Sequence, residues 1–93
     1  MDIQGNQVIA SEENVFTEEI FIEKGKQGTV TITGTFDATL TLQCRLVNTT
    51  DWIDVDTVTE GPRYYFEGGN DYWRFGCKTG DFTSGDAEIR IQG

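Results

Sequence analysis

Thr29-Val30-Thr31-Ile32-Thr33 and Thr39-Leu40-Thr41-Leu42-Gln43-Cys44-Arg45-Leu46-Val47 are the stretches that decide the fold. Both alternate apolar and polar side chains with the two-residue period of a half-buried strand. Val30 and Ile32 fall on one face and the three threonines on the other. In the second stretch Leu40, Leu42, Cys44 and Leu46 oppose Thr39, Thr41, Gln43 and Arg45. β-Branched residues suit such a pleated surface, and one face packed with one solvated is the antiparallel pattern.

The same period extends in both directions. Upstream, Val15 to Glu23 reads as a strand with Ile20 and Ile22 on one face, closed by a Lys24–Gly28 turn. Residues 1–14 are polar and read as a loose N-terminal arm with one short strand at Gln7-Val8-Ile9-Ala10. Downstream, Asn48-Thr49-Thr50-Asp51 is a hairpin loop, because Asn and Asp bond to their own backbone. The return strand is Trp52 to Thr59, ended by Gly61-Pro62. Arg63 to Glu67 and Tyr72 to Lys78 then read as a hairpin about Gly68-Gly69-Asn70-Asp71, with Trp73, Phe75 and Cys77 sharing a face. A loop over Gly80–Gly85 leads to the last strand, Ala87 to Gln92, with Ala87, Ile89 and Ile91 inward.

Seven or eight short strands with regular turns, eleven Gly and one Pro imply an all-β, two-sheet β-sandwich, of immunoglobulin-like or jelly-roll type. The domain spans 15–93, with the flexible arm ahead of it. Hydrophobic residues at 37%, six Phe among them, are enough for a folded core.

Charge and residue types narrow the function. Sixteen acids against seven bases leave a net charge of −9, which repels phosphate backbones and anionic membranes. No apolar run approaches the roughly 20 residues of a membrane helix. Met1-Asp2-Ile3-Gln4-Gly5-Asn6 lacks the basic start and apolar stretch of a secretory signal, so synthesis in a cytoplasm is expected. There is no His, so Ser-His and Cys-His nucleophile schemes are excluded. With no catalytic motif besides, an enzyme is not expected, nor a cofactor or resident metal.

Four groups invite a functional reading, each with a plainer one beside it. Asp54 and Asp56, in Asp51-Trp52-Ile53-Asp54-Val55-Asp56, would project from one face of a regular strand and could share a hard cation. The plainer reading is a solvated strand face, and no calcium-loop pattern is present. Tyr64, Tyr65, Phe66, Tyr72 and Trp73 could stack on sugars or anchor an interface, or alternate members could be core. Tyr64 and Tyr72 are expected at the surface, Trp73 and Phe75 inside; Tyr64, Tyr72 or Trp52 aligned on one face would favour glycan binding. Cys44 and Cys77 could face each other across the sheets and pair, or be two buried thiols. Gly76, Gly80 and Gly85 are turn and packing glycines, since no helix start follows them to make a phosphate loop.

Two stretches carry a resemblance: Gly34-Thr35-Phe36-Asp37-Ala38-Thr39-Leu40-Thr41-Leu42-Gln43 with Trp52-Ile53-Asp54-Val55, and Tyr72-Trp73-Arg74-Phe75-Gly76-Cys77-Lys78-Thr79-Gly80-Asp81-Phe82-Thr83-Ser84-Gly85-Asp86-Ala87. Together they resemble a group of small tailed-bacteriophage virion proteins, which pair a Gly-Thr-rich, Leu-Gln strand with a Trp hairpin and an Arg-Phe-Gly, Thr-Gly-Asp, Thr-Ser-Gly closing segment. Asn48-Thr49-Thr50-Asp51 departs from the Asp-Gly-Gly-type turn usual before that Trp. The resemblance implies a non-enzymatic virion structural protein, a capsid decoration or cement subunit. It would be a homo-oligomer (a trimer fits) that binds the major capsid protein or other virion proteins, with the arm ordering on a neighbour. The alternative is a carbohydrate- or host-surface-binding module or tail accessory protein.

Overall fold

The computed structural model describes residues 5–93, with side chains from Ile9 onward. Nine strands follow one another: β1 (Gly5–Ala10), β2 (Val15–Phe16), β3 (Ile20–Ile22), β4 (Gln27–Thr33), β5 (Phe36–Arg45), β6 (Ile53–Val58), β7 (Arg63–Glu67), β8 (Asp71–Gly85) and β9 (Ala87–Gln92). They form two antiparallel sheets. One has the order β1-β9-β4-β7; the other is β2-β8-β5-β6, with β3 also on β8. With β2 and β3 taken as one interrupted strand, the chain pairs from its ends inward: β1 with β9, β2/β3 with β8, β4 with β7, β5 with β6. The β4–β9 and β5–β8 ladders close that long hairpin into a roll. This order is a jelly roll, which decides between the two topologies the pattern leaves open.

The core lies between the sheets and follows the sequence period. Val30 and Ile32 of β4, Leu40 and Leu42 of β5, Phe75 of β8, and Ile89 and Ile91 of β9 are at most 2% exposed. Burying a side chain of this size contributes about 1.5–3 kcal/mol each. Leu46 keeps the core-facing parity of β5 but lies beyond its end and is half exposed.

Four sequence expectations change. Within the polar arm expected over 1–14, the short strand expected at 7–10 is present but longer: Gly5 to Ala10 form β1, paired along its length with β9, and Ala10 is fully buried. Met1–Gln4 lie outside the described residues. Gly68–Asn70 is a crossing between sheets and not a hairpin, because β7 pairs with β4 while β8 pairs with β5. The crossing is knitted to the β3–β4 turn: Gly68 N donates to Lys26 O (2.8 Å), Asn70 N to Ile22 O (3.0 Å) and Lys24 N to Asn70 Oδ1 (2.9 Å).

The strand expected over 15–23 breaks at Thr17-Glu18-Glu19. The register passes from Phe16↔Gly76 to Ile20↔Trp73, so three residues oppose Phe75 and Arg74. Thr17 fills the gap: its N–H donates to Phe75 O (2.9 Å) and its Oγ1 accepts from Phe75 N (3.1 Å). That extra residue lets Val15, Ile20 and Ile22 all reach the core side. The loop expected over 80–85 is strand, because β8 runs on to Gly85. Its ladder with β5 slips there, from Leu40↔Cys77 to Ala38↔Phe82, leaving Thr39 opposite residues 78–81.

A second crossing pairs the β4–β5 and β8–β9 links, with Asp86 N donating to Thr35 O (3.0 Å). Gly34 is required here: its φ is +101° and a Cβ would lie 2.4 Å from Asp86 O.

Candidate functional site: the outer face of the five-stranded sheet

Residues of opposite parity to the core assemble on the outer face of the five-stranded sheet. The β5–β8 register sets Arg45 beside Tyr72 and Gln43 beside Arg74, and β6 adds Asp54 opposite Gln43. A hydrogen-bonded row results across three strands. Arg74 Nε donates to Gln43 Oε1 (2.7 Å), and Gln43 Nε2 donates to Asp54 Oδ1 (2.8 Å). Lys78 Nζ reaches Asp54 Oδ2 at 2.6 Å from the far end of the face. That ion pair joins β8 to β6 across β5, on which Thr41 has Thr57 and Gly76 as strand neighbours. Thr41 is 1% exposed, and its Oγ1 has no hydrogen-bond partner among the described residues.

Aromatic rings and guanidinium groups alternate across this row. The Arg74 guanidinium lies 4.2 Å from the centroid of Phe16 and 4.3 Å from that of Trp52. Arg45 lies 5.4 Å from Trp52 and 4.5 Å from Tyr72, and Phe21 meets Tyr72 edge-on at 5.2 Å. The order Phe16–Arg74–Trp52–Arg45–Tyr72–Phe21 thus ties β2, β3 and the β5–β6 loop onto the sheet. Each contact is worth about 0.5–1 kcal/mol where exposed and more where desolvated. Arg45 Nη2 also donates to both oxygens of Glu19 at 2.9 Å, and its Nη1 to Thr49 O at 2.9 Å. Gly76 makes the ladder possible: a Cβ there would lie 2.1 Å from Val15 O and 2.7 Å from the Phe16 ring.

The electrostatics follow from these contacts. Burial lowers the Arg74 pKa, with Glu19 opposing. The Lys78 hydrogen bond, then that of Gln43, holds Asp54 below the usual carboxylate value, and Asp54 in turn raises Lys78. The face therefore carries two guanidinium groups and an ammonium against two carboxylates, Glu19 pairing with Arg45 and Asp54 with Lys78. It offers stacking and hydrogen bonding and has no nucleophile–base pair.

The other candidates lie apart. Asp54 and Asp56 do not share a face, contrary to the strand reading. The register runs Leu42↔Asp56 and Gln43↔Asp54, so Val55 is an extra, bulged residue that reverses the parity. Asp56 turns to the other sheet and accepts from Tyr64 Oη at 2.8 Å, a bond that lowers its pKa and raises that of Tyr64. Among the described residues no group of three or more His, Cys, Asp or Glu could hold a metal ion.

Tyr64 and Tyr72, expected at the surface, are both half-buried; Tyr65 is the exposed one. Phe66 packs in the core, 4.4 Å from Trp73, so Tyr64 shares its inward parity. Trp52 and Tyr72 share the outer face, and Tyr64 is on a different sheet. Cys44 and Cys77 are both buried and free. They sit on one sheet and not across two: Cys77 is opposite Leu40, four residues from Cys44. That is about 13 Å along a strand, beyond the roughly 7 Å a disulfide spans. Burial, with Asp71 beside it, pushes the Cys44 thiol up to about 12.

Phe16, Glu19, Arg45 and Arg74 were not singled out from sequence. Arg45 and Arg74 do show outward parity there, but only the β5–β8 register reveals that they meet Tyr72, Gln43 and Trp52. No protein-family model, curated protein or solved structure matches this chain.

Proposed function

We propose that the chain is a non-enzymatic structural subunit of a tailed-phage virion, a capsid decoration or cement protein acting in many copies on the outer shell. The observation that carries this reading is where the resembling stretches go. Residues 34–43, 52–55 and 72–87 cover most of β5 and β8 and the first half of β6, three neighbouring strands of one sheet. Trp52 from the first stretch lies over Arg74 from the second. The shared pattern is thus one continuous piece of structure and not two unrelated fragments. The thiols are buried and raised in pKa, which suits a part that packs and does no chemistry.

The test is the protein content of gradient-purified virions from a lysate. Many copies per particle are expected; absence from intact particles removes the reading. The native mass by light scattering separates its variants: a trimer or other closed oligomer fits a cement subunit, since shell parts match local symmetry.

A second reading, a glycan-binding module, is favoured by one observation: Trp52 and Tyr72 lie on the same face beside the Asp54–Gln43–Arg74 row. A glycan array that retains the protein, with Trp52→Ala releasing it, would establish this reading; an empty array ends it.

A further inference from the structure

The β5–β6 hairpin leaves apolar surface uncovered. Leu46 and Val47 at its tip and Ile53 and Val55 on β6 are each 46–51% exposed, and they lie within ten residues of one another. Ile53 is registered opposite Cys44, and Leu46 follows Cys44 by two, so both continue the inward face of the sheet. Nothing among the described residues closes over them. Among the described residues β6 is also the last strand of its sheet, paired with β5 alone.

The charge around these side chains has one sign. Between Arg45 and Arg63 the chain carries Asp51, Asp54, Asp56 and Glu60 and no base. Among the described residues, Asp54 alone of these is ion-paired, to Lys78. Arg45, at the foot of the hairpin, is held by Glu19.

We infer that this hairpin edge is a docking surface for a partner protein whose own patch has an apolar centre and a Lys/Arg rim. Charge complementarity selects that occupant. A second copy of the chain fits poorly, because a two-fold pairing sets each group of four acids against its twin. Strand addition to β6 also fits poorly, since the bulge at Val55 interrupts the edge. The contact is made by side chains, with Ile53 and Val55 as anchors and the acids as rim. This deepens the structural-subunit reading and rests on it only for the existence of a partner.

The experiment uses a fluorescein-labelled peptide of alternating lysine and leucine, its glutamate–leucine twin, and fluorescence anisotropy in low and high salt. The lysine peptide should bind and weaken in high salt, while the glutamate twin should not bind. Ile53→Ser with Val55→Ser keeps the charge and should weaken binding at least tenfold. Asp51→Asn with Glu60→Gln should weaken it severalfold, more than Glu12→Gln with Asp86→Asn, which makes the same charge change elsewhere. Far-UV circular dichroism certifies that each variant is folded; for a pair that unfolds, Leu46→Ser replaces it. Equal binding by both peptides, indifference to the hairpin substitutions, or equal loss from both charge pairs overturns the proposal. So does a native dimer that Ile53→Ser converts to monomer, which would assign the surface to a second copy. No virion enters this assay, so absence from particles and failure of the peptide are separate results.

Discussion

Replacing Asp71 by Ala should be among the most damaging changes in the chain, and the structure gives the size. Asp71 is 7% exposed at the crossing between β7 and β8. Its Oδ1 accepts from Trp73 Nε1 (2.5 Å) and Gly69 N (3.1 Å), and its Oδ2 from Cys44 Sγ (3.3 Å). Alanine leaves the indole N–H of Trp73, a residue 6% exposed, without an acceptor, and each buried orphan costs about 1–3 kcal/mol. The glycine N–H is near water and the thiol is a weak donor, so they add less. Relief from burying a carboxylate offsets part of the loss. The expected net is about 3 kcal/mol, against a total of about 5–14 kcal/mol for 93 residues. Asp71→Asn keeps one carbonyl oxygen for the indole and the glycine, and should cost only about 1 kcal/mol. Urea unfolding followed by far-UV circular dichroism measures both, with the change read at constant slope. An Asp71→Ala variant within about 1 kcal/mol of the parent, or an Asn variant as unstable as the Ala one, would refute the argument that acceptor geometry locks this crossing.

Three further outcomes are expected. Gly76→Val drives a Cβ to 2.1 Å from Val15 O, so β2 must lift from β8; an overpacked site of this kind costs about 1–3 kcal/mol, seen as a fall in Tm. Trp52→Ala and Arg74→Gln should each destabilise the fold. Their double-mutant cycle should return a coupling of about 0.5–1 kcal/mol, and a coupling of zero would mean the 4.3 Å stack is incidental. The folded-state pKa of Cys44 is raised from 9.0 to about 12, so its contribution is complete below pH 9 and is lost as pH rises toward 12. Stability should fall across that window and fall less in Cys44→Ala. Ellman's reagent at pH 8 should find no reactive thiol until denaturant is added.

What the sequence carried well is parity, and what it hid is where parity reverses. Val30 and Ile32, or Ile89 and Ile91, keep strict alternation through regular ladders, so their burial is legible from spacing alone. Three local irregularities are not. The extra residue at 17–19 moves Ile20 and Ile22 to the same side as Val15, where a continuous strand would oppose them. The bulge at Val55 separates Asp54 from Asp56, and the slip opposite Thr39 makes a strand of an apparent loop. Each is a local shift of register against the partner strand, which the spacing within one strand does not reveal. Sheet membership is hidden for the same reason: Gly68–Asn70 has hairpin chemistry, and only the pairing of β7 with β4 makes it a crossing.

The two outer-surface candidates differ in a way that bears on function. On the broad face of the five-stranded sheet, aromatic rings rest on guanidinium groups, and Gln43 spends its amide on Asp54 and Arg74. A ligand there must first displace contacts the protein already makes, so the face is better suited to fastening β2, β3 and Trp52 than to capture. At the hairpin edge Leu46, Val47, Ile53 and Val55 hold exposed apolar surface that water solvates poorly, close in sequence to Asp51, Asp56 and Glu60, which form no ion pair among the described residues. The same ladder that seals the face anchors the base of the hairpin, through Arg45 to Glu19 and Thr49 O. A rigid hairpin base lowers the ordering cost of docking its tip. Loosening the ladder with Arg45→Ala should therefore weaken docking at the tip, although Arg45 makes no part of the surface itself.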